Sequence, residues 1–178
     1  MLVIDVSDIL KEVGSSKEFS GAFLPKSTTY QGESIEFKEP FSIEGNVTCG
    51  NEGILIVQAT VKGEAILQCG SCMELYSHPV DISFTAEFRT SSGDDPDIYL
   101  YTGHRIDLED AIMDNFFLEL PTLRRCSEDC KGLCPYCGAN LNNKQCTCEE
   151  EKNQEQEDVI DSRLAVLKEF FSARDKEV

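Results

Sequence analysis

The sequence is short of positive charge. Its 178 residues carry 16 Lys and Arg against 33 Asp and Glu, a formal net charge of −17. A surface of that sign repels phosphates and anionic membranes, which excludes a protein that coats nucleic acid by charge alone. Long apolar runs are missing too: none approaches the ~18 residues needed to span a bilayer, so no membrane association is expected. The opening MLVIDVSDILKEV has neither a basic start nor a long apolar stretch and does not read as a signal peptide. A cytoplasmic location is therefore expected. Histidine is scarce, with only His78 and His104. Each reads as a surface or turn residue, with no nucleophile beside it. The sequence has no glycine-rich phosphate loop, no GxSxG elbow, no HExxH pair and no His-x-Glu ahead of a Cys-x-x-Cys. The expectation is a protein that is not an enzyme.

Cysteine, by contrast, is abundant, with nine in the chain. In a reducing compartment clustered cysteines mean metal or redox chemistry more often than disulfides, and an odd total argues against a fully paired framework. Cys134-Pro135-Tyr136-Cys137-Gly138 has the form of a zinc knuckle. Two thiolates at that spacing reach one tetrahedral metal, and the following glycine permits the tight turn that aims amides at sulfur. After an eight-residue loop, Cys146-Thr147-Cys148 supplies a second pair. A zinc site of Cys134, Cys137, Cys146 and Cys148 with bonds of about 2.3 Å is the expectation, although iron suits four thiolates as well. Between Arg124 and Cys148 the sizeable apolar side chains are Leu133, Tyr136 and Leu141. They cannot offset an ordering cost of ~1–2 kcal/mol per residue, so a metal must hold the segment. Four thiolates leave zinc no open position for water, which makes the site structural.

Cys69-Gly70-Ser71-Cys72 and the pair Cys126 and Cys130 remain. Together they make a second set of four, so two zinc ions are possible. Cys69 and Cys72 alone would make a redox dithiol, and both readings stay open. Cys49 falls on the apolar face of its segment and reads as a small buried hydrophobe.

The body of the chain alternates with period two. Phe41–Cys49, Leu55–Cys69 and Val80–Phe88 each place apolar residues on one face and polar residues on the other, the pattern of antiparallel strands with one wet side. Gly50-Asn51-Glu52-Gly53 reads as a hairpin turn, and Gly63 as a bulge or bend within the longest run. Leu2–Val6, Ile35–Phe37 and Ile98–Tyr101 are shorter candidate strands, and 91–97 a solvated loop. Asp107 can cap a helix whose Leu108, Ile112, Phe116 and Leu120 recur every four residues before Pro121. A weaker helix is expected over Asp8–Val13. Ile160, Leu164, Leu167 and Phe171 fall at helical spacing near the C-terminus. Sheet first and helices after point to α+β, an antiparallel meander or a barrel-like variant of it. The expected organisation is a β domain over 1–105, a helix packed on it over 106–121, a cysteine-rich zinc module over 122–148, and an acidic linker with a C-terminal amphipathic helix over 149–178. Residues 121–148 carry a net charge of +2, an island in an acidic chain.

Read in order, Cys69-x-x-Cys72, Ile106-Asp107-Leu108, Leu118-Glu119-Leu120-Pro121, Cys130-Lys-Gly-Leu-Cys134-Pro-x-Cys137-Gly-x-Asn140-Leu141-Asn142, Cys146-x-Cys148 and Ile160-Asp161-Ser162-Arg163-Leu164 resemble the YceD family. Its members are called large ribosomal RNA subunit accumulation proteins. The resemblance spans nearly the whole chain, and the CKGLCPxCGxNLN string is its most specific part. It implies a bacterial or plastid protein needed for accumulation of 23S ribosomal RNA, through processing or stability of that RNA. Ser71 stands where the family has Arg, and Ser162 where it favours Pro. The first change removes a positive charge, while Asp161 can still cap the last helix. An acidic protein in that role meets the ribosomal RNA precursor in one of two ways. Either a local patch of Arg124, Arg125, Lys131 and Lys144 touches phosphate, or a basic ribosomal protein or processing enzyme mediates. The alternative to the family role is a thiol redox or metal-handling protein using Cys69 and Cys72.

Overall fold

The computed structural model describes residues 2–91 and 98–148. The 149–178 linker and helix, and all of the 91–97 loop beyond Ser91, lie outside the described residues. Two compact units divide the chain, Met1–Cys130 and Lys131–Val178. This boundary falls inside the expected 122–148 module and leaves Cys126 and Cys130 with the first unit.

The first unit contains β1 (Val3–Asp5), β2 (Ser16–Phe23), β3 (Thr28–Tyr30), β4 (Glu33–Ile35), β5 (Phe41–Cys49), β6 (Leu55–Gln68), β7 (Leu75–Arg89), β8 (Ile98–Leu100), β9 (Arg105–Asp107) and α1 (Glu109–Glu119). With α1 following the strands, the α+β expectation holds. β5, β6 and β7 form the meander, and the main sheet runs β2-β5-β6-β7-β8. Within it β8 is parallel to β7 rather than antiparallel, since a three-residue strand carries no pattern that fixes its direction. β1 pairs with β9, and β3 with β4 in a small hairpin. The expected Asp8–Val13 helix is a single 3-10 turn, Ile9–Lys11.

Alternation does what the sequence implies. Phe41, Ile43, Val47, Leu55, Val57, Val61, Val80, Ile82 and Phe88 are buried, and no polar or charged residue among those described is. The inner face closes on α1: Phe41, Phe37 and Phe116 meet with ring centroids 5.3–6.0 Å apart. Asp107 Oδ1 accepts the Glu109 N–H at 3.1 Å, and Glu109 and Asp110 place negative charge in the first turn. Gly63 is not a bulge. It stays in register opposite Val80 in an unbroken β6–β7 ladder, and a Cβ there would collide with the Phe41 ring. The glycine makes room for the core aromatic.

Candidate metal centres

The β6–β7 ladder ends at Gln68 and Leu75, and the six residues between them make the turn. The Cys69 N–H donates to Glu74 O at 2.8 Å and the Met73 N–H to Cys69 O at 2.9 Å, with Met73 at a φ of 61°. Cys69 and Cys72 therefore sit on a hydrogen-bonded hairpin tip, at the strand end where the sequence put them. After α1 the chain returns past this tip. The Gly70 N–H donates to Arg124 O at 2.8 Å, and the Cys126 N–H to Cys69 Sγ at 3.4 Å. The Sγ atoms of Cys69, Cys72, Cys126 and Cys130 all lie within 4.8 Å of one another.

Two edges of this cluster are resolved individually, Cys69–Cys130 at 3.8 Å and Cys72–Cys126 at 3.7 Å. Disulfide sulfurs stand about 2.05 Å apart, so these are separate thiols. A tetrahedron of sulfurs with metal bonds of about 2.3 Å has edges of about 3.8 Å, and the cluster fits that figure. Electrostatics point the same way. Burial alone would raise the Cys69 thiol, but the amides of Cys72, Cys126 and Ser71 hold it at about 6. The Glu74 amide draws Cys72 down, yet burial and the sulfurs of Cys69, Cys126 and Cys130 push it up to about 12. Cys126 is raised too, first by its hydrogen bond with Cys130. One thiolate forms readily here and then opposes the next, so four can coexist only around a cation.

The second cluster lies within the second unit. Gly132 and Gly138, at φ of 73° and 72°, make turns that side-chain-bearing residues adopt with strain. The Gly138 N–H donates to Cys134 O at 2.9 Å and the Cys134 N–H to Ala139 O at 2.8 Å, closing the knuckle. Asn140 and Asn142 explain the rest of the string. Asn140 Oδ1 accepts the Asn142 N–H at 2.9 Å, and Asn142 Oδ1 accepts the Lys131 N–H at 2.8 Å. The Sγ atoms of Cys134, Cys137, Cys146 and Cys148 lie within 4.8 Å of one another. The amides of Cys137 and Tyr136 lower Cys134 to about 7. The hydrogen bond to Cys137 and burial push Cys148 up to about 12, and Cys146 is raised by Cys134. Both donor sets are all-sulfur and suit a soft or borderline tetrahedral metal. They differ in cover: Cys69 and Cys72 are buried, whereas Cys137 is exposed.

The structure thus brings together both sets of four that the sequence offered. Cys49 is buried in the core, as its strand position implied. Arg124 differs from expectation. Its side chain is 9% exposed, pairs with Glu33, donates to Gln31 Oε1 at 3.3 Å and lies 5.8 Å from the Tyr30 ring centroid. The β3–β4 hairpin holds it beside the first cluster, so its guanidinium is committed within the fold rather than offered to phosphate. Arg125, Lys131 and Lys144 are exposed, the first on one unit and the other two on the second. The β3–β4 grip went unread because its strands are three residues each, with no periodic signal.

No helix among the described residues is long and apolar enough to cross a membrane. The profile described as Large ribosomal RNA subunit accumulation protein YceD matches residues 57–171, a span that includes all eight clustered cysteines. An uncharacterized protein of Mycobacterium tuberculosis is 31% identical over 97 residues, 51% of this chain and 46% of its own length. One of Mycobacterium leprae is 28% identical over 114 residues, 60% of this chain and 52% of its own. The chloroplastic Large ribosomal RNA subunit accumulation protein YCED homolog 1 of Arabidopsis thaliana is 44% identical over 50 residues, 28% of this chain and 16% of its own. The chain spans about half the length of the mycobacterial relatives it matches. No solved structure matches it. With the family profile covering well over half of its residues, the chain belongs to the YceD family of large ribosomal RNA subunit accumulation proteins.

Proposed function

We propose that this chain supports accumulation of the large-subunit ribosomal RNA, 23S in bacteria, as a non-catalytic cytoplasmic factor with two structural zinc ions. The observation that carries the role is the family match over 57–171, since the family is described by that process. The zinc assignment rests on two sets of four mutually close sulfurs, one with 3.7 and 3.8 Å edges. Bound zinc supplies charge neutralisation for the thiolates and a fixed cross-link between chain segments. Cys69 and Cys72 do the anchoring in the first unit, and Cys134 and Cys137 in the second.

A redox role for Cys69 and Cys72 is less well supported, because Cys69 is fully buried and thiol exchange needs an accessible sulfur. The route to RNA favours an intermediary basic protein. The charge of −17 opposes direct binding, and Arg124 is engaged within the fold, leaving Arg125, Lys131 and Lys144 as direct contacts.

Deleting the gene and comparing 23S with 16S ribosomal RNA tests the role. Selective loss of 23S or build-up of its precursors is expected, and equal levels of both would refute it. Metal analysis of the purified chain is expected to find two zinc ions per molecule. One would remove a site, and iron would change the assignment.

A further inference from the structure

The two clusters differ in what can reach their sulfurs. Bound metal keeps every ligand sulfur deprotonated, so access rather than thiolate fraction separates one cysteine from another. In the first cluster Cys69 and Cys72 are buried, and Cys126 and Cys130 half-buried. In the second, Cys134 is buried and Cys146 and Cys148 are half-buried, but Cys137 is exposed, the one such cysteine of the nine. Its chain neighbours leave it open, since Pro135, Tyr136 and Gly138 are exposed as well. Cys134, at the other end of the knuckle, is shut in and takes the amides of Cys137 and Tyr136. Cys148 lies against Cys137, the two sulfurs in hydrogen-bond contact. They stand within 4.8 Å, and a disulfide needs about 2.05 Å, a closure that two side chains can make.

We propose that Cys137 is an oxidation site for small hydroperoxides, and that its oxidation expels the second metal ion. With hydrogen peroxide, the Cys137 thiolate attacks one oxygen; the S–O bond forms, the O–O bond breaks and hydroxide leaves. Cys148 Sγ then attacks the sulfenic acid so made; the S–S bond forms and a second hydroxide leaves. Two thiolates give up two electrons, the peroxide takes them, and two solvent protons turn both hydroxides into water. Cys134 and Cys146 remain, two thiolates where a tetrahedral site needs four. Cys134 is also the one buried apolar side chain among the described residues of the second unit, so no core holds that unit once the ion has gone. The first unit keeps its metal and its core. The inference rests on the zinc reading above and gives the two sites different work: the first is a permanent cross-link, and the second a reversible one.

The test uses the full chain, with its metal counted before any oxidant is added. Hydrogen peroxide is then raised in steps beside a zinc-binding chromophore. After each step, thiols are alkylated in denaturant with chelator, and the peptides are mapped by mass spectrometry. One of the two zinc ions should be released, in step with a Cys137–Cys148 disulfide, while Cys69, Cys72, Cys126 and Cys130 remain alkylatable. A dithiol reductant with added zinc should restore the second ion. Cys137→His keeps a metal ligand but removes the exposed thiolate, and should slow release by about tenfold or more. Should that variant fail to hold metal, the wild-type map still decides. Release of both ions together, first oxidation at Cys69 or Cys72, or release with Cys137 still a free thiol would overturn the proposal. So would retention of both ions at exposures that fully oxidise a free cysteine standard. No metal at the second cluster before oxidant would refute the zinc reading and this inference with it, whereas the other failures leave that reading standing.

Discussion

Replacing Cys72 with serine should release the Leu123–Cys130 segment while leaving the sheet folded. That segment has eight residues, and at ~1–2 kcal/mol each its ordering costs about 8–16 kcal/mol. The metal-independent ties are few. They include the Gly70 N–H to Arg124 O bond, the Cys126 N–H to Cys69 Sγ bond, the Cys130 N–H to Ser127 O bond, the Arg124–Glu33 pair, the Arg124–Gln31 bond and the Arg124–Tyr30 contact. At about 1 kcal/mol apiece they supply roughly 6 kcal/mol. The shortfall of about 2–10 kcal/mol falls to the metal, and structural zinc, at about 10–16 kcal/mol, covers it. Hydrogen exchange followed by mass spectrometry reads the outcome. In Cys72→Ser, or in the wild type after chelation, peptides across 121–130 should exchange at loop rates while Leu55–Gln68 keeps its protection. A 121–130 segment that stays protected in both cases would refute the reasoning, because its own contacts would then suffice.

Metal affinity at the first cluster should rise with pH. Near pH 7 Cys69, at about 6, is already a thiolate, whereas Cys72, at about 12, and the raised Cys126 still hold protons that binding must displace. At least two displaced protons make the apparent affinity climb ~100-fold or more per pH unit and fall by the same factor on acidification. Chelator competition at pH 7 and 8, with the second cluster silenced by Cys137→Ser and Cys148→Ser, measures this, and a slope of one proton or fewer contradicts it. Gly63→Ala should lower stability by about 1–3 kcal/mol, because its methyl must displace Phe41 from a packed core. Denaturant unfolding with no change would mean the ring has room to move.

The long strands and the helix were legible because one buried face imposes a strict period on them. Phe41–Cys49 matches its sequence reading end to end; Asp107 is not the N-cap of α1, which is Leu108, but stands one residue ahead of it and accepts the Glu109 N–H. β2 was not legible: at the edge of the sheet its inward positions are Lys17, Phe19, Gly21 and Phe23, too mixed to show a period. Val80–Phe88 proved the inner part of a longer strand, because Leu75–Pro79 pairs with Glu64–Gln68 beyond the reach of its apolar pattern. For the cysteines, local spacing revealed Cys134 and Cys137. The grouping of Cys69 and Cys72 with Cys126 and Cys130 followed from counting alone, since those pairs are 54 and 61 residues apart. Only the tertiary fold could test that grouping. The partners of Arg124 were hidden for the same reason: in sequence it belongs to a basic island, and in space it stands against Glu33 and Tyr30.

The most direct test of the account joins metal to function. In the organism that carries this gene, the natural copy is replaced by Cys72→Ser, by Cys137→Ser, or by both together, and 23S RNA is measured against 16S RNA with protein levels monitored. The account predicts that 23S falls selectively in each single variant and furthest in the double, with 16S unchanged. A normal ratio in the double variant, with both clusters broken and the protein present, would contradict it.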